Sequence, residues 1–364
     1  MLNLIIPCLS DLIYQNPYED CMGFKRNARD ADDASRGIIH SWAFRFFKQS
    51  RFRPGEVIRI GLFEIRPVKI RPLSEYSKRF KKAEDFRRFS VFANEITMEM
   101  VTNENDWLHI EDAESGIKFG HFPQDERFGI ITGYASAIIL LLRLRGMTVV
   151  TVPMEITGST FEELHNAKRE SIEARFRFTQ AIIEPAIIPG KLELFNEADV
   201  EWIDKYHKDI VIRDKPGKKD NFTFFHDIFD SLSFPNPTNM LQQIWTGIEH
   251  IVKTGELGVR RSIRERCAML LCKQDEDVKE LANKIDSLYD FRCKVVHGSD
   301  HFSMLDYLSG FTDFTNLSGK TKMLFDSYEL LKDLLILVIE RGAMPTKKEL
   351  EQLHKDYSDA IKSD

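Results

Sequence analysis

Two hydrophobic periods divide the chain. Beyond residue 236, apolar side chains recur every three or four positions, as in helices that bury one face. Leu241, Ile244, Trp245, Ile248 and Val252 share a face of a helix opened by Asn236 as cap and Pro237 as first residue. A second helix, about 258–272, aligns Val259, Ile263, Cys267 and Leu270. A third, about 275–297, aligns Val278, Leu281, Ile285 and Leu288, with Gly298 just past its end. A long apolar helix is predicted over about 320–341, before Gly342 and Pro345. Thr346 and Glu349, at capping-box spacing, open a short final helix. So many helices in so short a stretch predict an all-α bundle.

Upstream the pattern is mixed. Residues 56–73 largely alternate, which predicts a strand. Ile58, Ile60 and Leu62 fall on one face, and Val68 and Ile70 resume that parity. Phe63 and Ile65 break it, so a bulge or a turn is expected between them. Pro67 and Pro72 mark an edge or a strand end. Residues 147–156 are β-branched and strand-like. Residues 134–145 read as a helix ended by Gly146. A polar helix is expected over 160–175 and another over 193–208. Charged residues with a Pro-Gly turn signal at 213–220, and a second break at 233–237, suggest three parts. These are an α+β region (1–215), a linker (216–235) and a helical bundle (236–364).

At roughly 100–200 residues per domain, a chain of 364 residues fits two domains. Hydrophobic residues at 43% and charged residues at 30% describe a globular protein rather than a disordered one. The formal net charge of −6 weighs against a wholly electrostatic nucleic-acid binder. It leaves room for a nuclease with a small, local phosphate site. Cys8, Cys21, Cys267, Cys272 and Cys293 are odd in number and are expected to be thiols in a reducing cytoplasm. Cys267 and Cys272 lack zinc spacing. The apolar start, 2–6, lacks a basic leader, so no signal peptide is expected. The apolar run 130–142 is too short for a bilayer and reads as a buried helix. The acidic run 30–33 lacks EF-hand spacing and reads as a solvated turn. No nucleotide-binding glycine motif, zinc-protease motif or nucleophile elbow occurs. No cofactor, metal or membrane partner is expected.

The chemistry concentrates at the end of the third helix. Continued by one step, the stripe 278, 281, 285, 288 reaches Arg292. A guanidinium on a core-facing stripe needs either an acid partner or an anion in a cleft. Five positions on, His297 points roughly 140° away on a straight helix. The two converge only if the helix end distorts or if a two-fold axis joins two such helices. Arg suits a phosphate oxygen and a pentavalent transition state, and His moves protons near neutral pH. With RNA, the 2′-hydroxyl stands ready to attack the adjacent phosphorus without a metal. A purely structural account of the same residues pairs Arg292 with Glu249 and makes His297 a helix C-cap.

The wider context favours the first account. Leu288-Tyr289-Asp290-Phe291-Arg292-Cys293-Lys294-Val295-Val296-His297-Gly298 resembles a block of the HEPN superfamily (higher eukaryote and prokaryote nucleotide-binding domains), most closely its ApeA-like branch. Gly247-Ile248-Glu249 is similar to the small-apolar-Glu pattern of an earlier helix in that branch, and residues 263–271 to the helix between. The resemblance covers about 236–342, extends weakly to 135–146, and does not reach 1–120. It implies an α+β N-terminal region followed by an all-α HEPN helical bundle that forms a homodimer. It further implies a metal-independent endoribonuclease with RNA as substrate and a composite site drawn from both protomers. Arg292 would bind phosphate, His297 would be the general acid or base, and Glu249 would orient one of them. Relatives act in phage defence and toxin systems, which implies a phage or cellular trigger for the N-terminal region. Cys293 departs from the polar residue usual after the Arg, and a thiol is a weaker donor.

Tyr289, Cys293 and Arg264 are candidate substrate contacts. The run Arg260, Arg261, Arg264 and Arg266 suits RNA phosphates or a solvated helix face. Trp107, Trp202 and Tyr289 could stack bases or fill the core. Asp300 and His301 read as loop residues, and His250 as solvated. Two rival functions remain. One is a non-catalytic HEPN dimerisation module binding RNA, a nucleotide or a protein. The other is a metal-dependent nuclease using N-terminal acids, for which no carboxylate cluster speaks.

Overall fold

The computed structural model describes residues 38–46, 57–68, 98–111, 116–145, 150–157, 160, 175–178, 196–213, 224–225, 228, 236–252, 258–273, 277–310 and 319–363. A small antiparallel sheet forms the N-terminal part, and the remainder is mostly helical.

The alternating stretch resolves into a hairpin, β2 (Ile58–Ile60) and β3 (Phe63–Pro67), joined by the two-residue turn Gly61-Leu62. Ile60 pairs with Phe63, so a buried even-numbered face continues as a buried odd-numbered one. This accounts for the broken parity: the turn alternative applies, and Leu62 belongs to the turn. Gly61 adopts φ +55°, which L side chains rarely occupy. Around the hairpin the sheet runs β2-β3-β4-β1-β5-β6, every pair antiparallel. The other strands are β1 (Ile39–Phe46), β4 (Met98–Asn103), β5 (Val150–Thr157) and β6 (Arg175–Phe178). Arg175 therefore opens a strand instead of closing the expected polar helix; residues 161–174 lie outside the described ones.

A short helix α1 (Glu104–Trp107) follows β4, capped by the Asn103 side chain. Helix α2 (Gln124–Arg145) begins ten residues before the expected start, because its first half carries polar residues and two exposed glycines, Gly129 and Gly133. By length and composition, residues Glu126–Arg145 could cross a membrane, yet 56% of that window is buried inside the protein. Ile131, Ala135, Ile138, Leu141 and Leu142 are all fully covered. Helix α3 (Glu197–Arg213) packs on α2 and on β2. It ends five residues beyond the expected 208. Asp204 on α3 accepts a hydrogen bond from the Gly61 backbone N–H at 2.7 Å. The buried His207 ring fills the space where a Gly61 Cβ would stand. Burial lowers the His207 pKa from its ordinary value.

Among the described residues, six further helices follow. They are α4 (Pro237–Val252), α5 (Val259–Leu271), α6 (Val278–Val296), α7 (Met304–Ser309), α8 (Gly319–Arg341) and α9 (Lys347–Ser363). Asn236 accepts from the Thr238 and Asn239 N–H groups, as its capping role requires. Thr346 and Glu349 form the expected reciprocal box. Helices α4 and α8 approach closely at Gly247, where a Cβ would stand 2.9 Å from Leu331. The short α7 was not anticipated, and α9 is a full 17 residues long.

Residues Ile38–Asp364 form one compact unit. Phe225 and Ile228, inside the expected linker, are buried in its core. Glu340 on α8 ties the two parts together. It accepts from Trp202 Nε1 at 2.8 Å and pairs with Arg145, whose guanidinium lies 4.4 Å over the Trp202 ring.

Candidate active site

Helix α6 presents Ala282, Ile285, Leu288, Tyr289 and Val295 to the bundle core. Arg292 sits at the margin of that face, its side chain 17% exposed. Its guanidinium is partnered from a second helix: Nη2 stands 3.5 Å from Oε1 of Glu249 on α4. The Arg292 Nε is buried and has no hydrogen-bond partner. One turn back, Tyr289 lies beneath the guanidinium, with 5.6 Å from Cζ to the ring centroid. Trp245 of α4 meets that ring edge-on at 5.3 Å. Glu249 and Tyr289 thus limit the directions Arg292 can take, and Trp245 backs the Tyr289 ring.

Cys293 is half-buried and lies beside Tyr289, one turn further along α6. Burial, and then the neighbouring Cys293, raise the Tyr289 pKa from its usual value. Tyr289 is therefore a core residue that touches the site, and its ring is not open to a base. Cys267 and Cys272 are free thiols like Cys293. Cys8 and Cys21, and the acidic run 30–33, lie outside the described residues.

His297 is the C-cap of α6. The helix is regular through Val296, so no distortion turns His297 toward Arg292 in the same chain. Its backbone N–H donates to Cys293 O at 3.0 Å, and the ring is exposed without a hydrogen bond or ion pair to the described residues. Gly298 follows at φ +75°, the left-handed conformation that commonly ends a helix. The structure brings Arg292, Glu249, Tyr289 and Cys293 together and leaves His297 apart, at the end of the same helix.

Arg264 is not part of this group. It donates to Glu265 at 2.9 Å, as does Arg261 at 3.0 Å, and His354 of α9 reaches the same carboxylate. Glu265 is 3% exposed; burial pushes its pKa up, but the hydrogen bonds from Arg264, Arg261 and His354 outweigh that and hold it below the usual carboxylate range. Arg260 pairs with Asp286 and Asp290. Arg266 is wholly buried and donates to the Val252 carbonyl, so it caps the C-terminus of α4 instead of facing solvent. The basic run is thus largely matched by acids, several of them distant in sequence. His250 remains exposed, but its ring packs at a tilt against Phe224, with centroids 4.3 Å apart, instead of standing free in water. Trp107 is buried, and Trp202 serves the Glu340 junction.

Among the described residues, no cluster of three His, Cys, Asp or Glu side chains is arranged to hold a metal ion. A cavity of about 310 Å³ lies on the sheet, lined by Arg59, Gly61, Glu64, Thr102, Asn103 and Asp106. No candidate residue from the sequence lines it, and Arg59 is already paired with Glu64. Sequence inspection missed Lys320 of α8. It donates to Asp300, in the segment after His297, at 2.6 Å. A lysine in the first turn of a helix, where the dipole disfavours a cation, was the available signal.

Comparison of the chain with protein-family models, with curated proteins and with solved structures returned no match.

Proposed function

We propose that this chain is a metal-independent endoribonuclease of HEPN type that acts as a homodimer. The supporting observation is the Arg292 environment: a half-buried guanidinium held by Glu249 and Tyr289, with an unengaged imidazole at the end of the same helix. In this reading Arg292 of one copy and the partner's His297 face one phosphodiester. The 2′-oxygen attacks phosphorus and loses its proton to a base. The 5′-oxygen leaves and gains a proton from an acid. His297 performs one of these transfers, and Arg292 stabilises the negative charge that builds on the phosphoryl oxygens. The products are a 2′,3′-cyclic phosphate and a 5′-hydroxyl. The N-terminal α+β region would sense a phage or cellular trigger, a role suggested only by the family resemblance.

Two features favour a non-catalytic dimerisation module. Glu249 already engages Arg292, and Cys293 replaces a stronger hydrogen-bond donor. RNA cleavage in EDTA by wild type and His297→Ala separates the readings. The nuclease leaves cyclic-phosphate ends in EDTA, and the variant loses them while remaining a dimer. Equal cleavage by both proteins removes His297 from the mechanism, and an absence of cleavage by fully triggered wild type supports the module.

A further inference from the structure

We propose that Lys320 is a positioning residue for His297, acting through Asp300; this rests on the nuclease reading above. His297 stands beyond the last helical residue, where helix ends fray and local hydrogen bonds hold the chain weakly. The segment after it has three local ties: Gly298 N to Val295 O, Asp300 N to Lys294 O, and Ser299 Oγ to Lys294 O. All three return to the same fraying turn. Farther along, Phe302 is buried against Phe291 and its carbonyl accepts from Thr238 of α4; Lys320 supplies the tie from a different element that reaches closest to His297. Its ammonium donates to the Asp300 carboxylate at 2.6 Å and to the His301 carbonyl oxygen.

The element behind Lys320 is well anchored. The next residue, Thr321, is fully buried and donates to the Tyr307 carbonyl at 2.9 Å, so the first turn of α8 holds α7 as well. One turn on, Leu324 and Phe325 are buried in the core. The helix dipole disfavours a cation in this first turn, so the ion pair, not helix stability, accounts for a lysine here. The other charged groups nearby are engaged elsewhere: Lys294 pairs with Asp290, and Asp306 accepts from Ser303. His301 is 88% exposed and only 4.0 Å from Asp306, so it adds little restraint. Lys320 thus fixes the exit direction of the chain three residues after the proposed acid–base group.

Lys320→Ala, Lys320→Arg, His297→Ala and the Lys320→Ala/His297→Ala double variant are compared with wild type in the EDTA cleavage assay. Lys320→Ala is expected to lower kcat by about ten- to a hundredfold, the scale of a small misplacement, with KM within about twofold. Lys320→Arg retains most of the activity, and the double variant is no slower than His297→Ala alone. Melting temperatures stay within about 2 °C, because a partly exposed ion pair contributes little to stability. Unchanged kcat in Lys320→Ala overturns the proposal. So does a loss confined to KM, which marks a phosphate contact, or a loss that multiplies fully onto His297→Ala. If His297→Ala cuts like wild type, the nuclease reading fails instead, and amide hydrogen exchange at 298–301 then decides the clamp. Faster exchange in Lys320→Ala upholds it, and unchanged exchange refutes it.

Discussion

Chains lacking Arg292 and chains lacking His297 should restore activity when mixed. Five residues along a helix separate the two groups by about 7.5 Å in height and about 140° in direction. The helix is regular between them, with Arg292 turned toward α4 and His297 exposed at the cap. On the proposed reading, a single copy would therefore offer an RNA phosphate either the guanidinium or the imidazole, not both. In a two-fold dimer whose sites each take Arg from one copy and His from the other, a mixed dimer of Arg292→Ala and His297→Ala holds one intact site and one doubly broken site. Random re-pairing of equal amounts gives about half mixed dimers, so the expected rate is about one quarter of wild type. Each variant alone should fall at least about a hundredfold. The assay is cleavage of a labelled RNA after the two proteins are unfolded and refolded together, with separately refolded proteins as control. A co-refolded mixture no faster than its separate components would refute the composite site. Dilution below the dimer dissociation constant offers an independent check, since a composite site must lose specific activity there.

Glu265→Gln should destabilise the bundle by about 2–4 kcal/mol at pH 7, since it strips a buried acid from Arg261, Arg264 and His354, whose partial exposure softens the loss. Because the folded pKa of Glu265 is depressed, its contribution is full above the unfolded carboxylate range and fades as pH falls through the folded value. Urea unfolding midpoints of wild type and variant should therefore draw together as pH falls below the ordinary carboxylate range, and an offset that does not shrink with falling pH would contradict the assignment. Gly61→Ala should cost about 1–3 kcal/mol, because its positive φ is strained and its Cβ would lie 2.7 Å from His207 Nε2. A thermal melt checks this, and an unchanged midpoint would mean that the hairpin does not dock on α3 as described.

The helices of the second part were legible because their cause is local. A 3.6-residue period, an Asn-Pro start and a Thr-x-x-Glu box act within one or two turns, and the structure places α4, α5, α6, α8 and α9 where those signals stand. The position of Arg292 was legible for the same reason: a charge on an apolar stripe is visible without knowing what it meets. The strands flanking the sheet centre were not. β4 buries Met98, Glu99 and Met100 in succession, and β1 buries His40, Ser41 and Trp42, so neither shows alternation. Glu99 is buried with Ser41 of β1 and Arg66 of β3 hydrogen-bonding its carboxylate, as a buried acid requires. Those partners are 58 and 33 residues away, beyond the reach of any local pattern.

The same division runs through the candidate site. From the sequence came the residue types, their spacing and the helix end that carries them, because these depend on chain geometry alone. Tertiary packing decided which charges are occupied. It brought His354 to Glu265, paired Arg260 with Asp286, buried Arg266 at the end of α4, and left the His297 ring free. It also brought Lys320 to Asp300 across twenty residues. Desolvation and ion pairing depend on what arrives from elsewhere in the chain, and only folding brings those groups together.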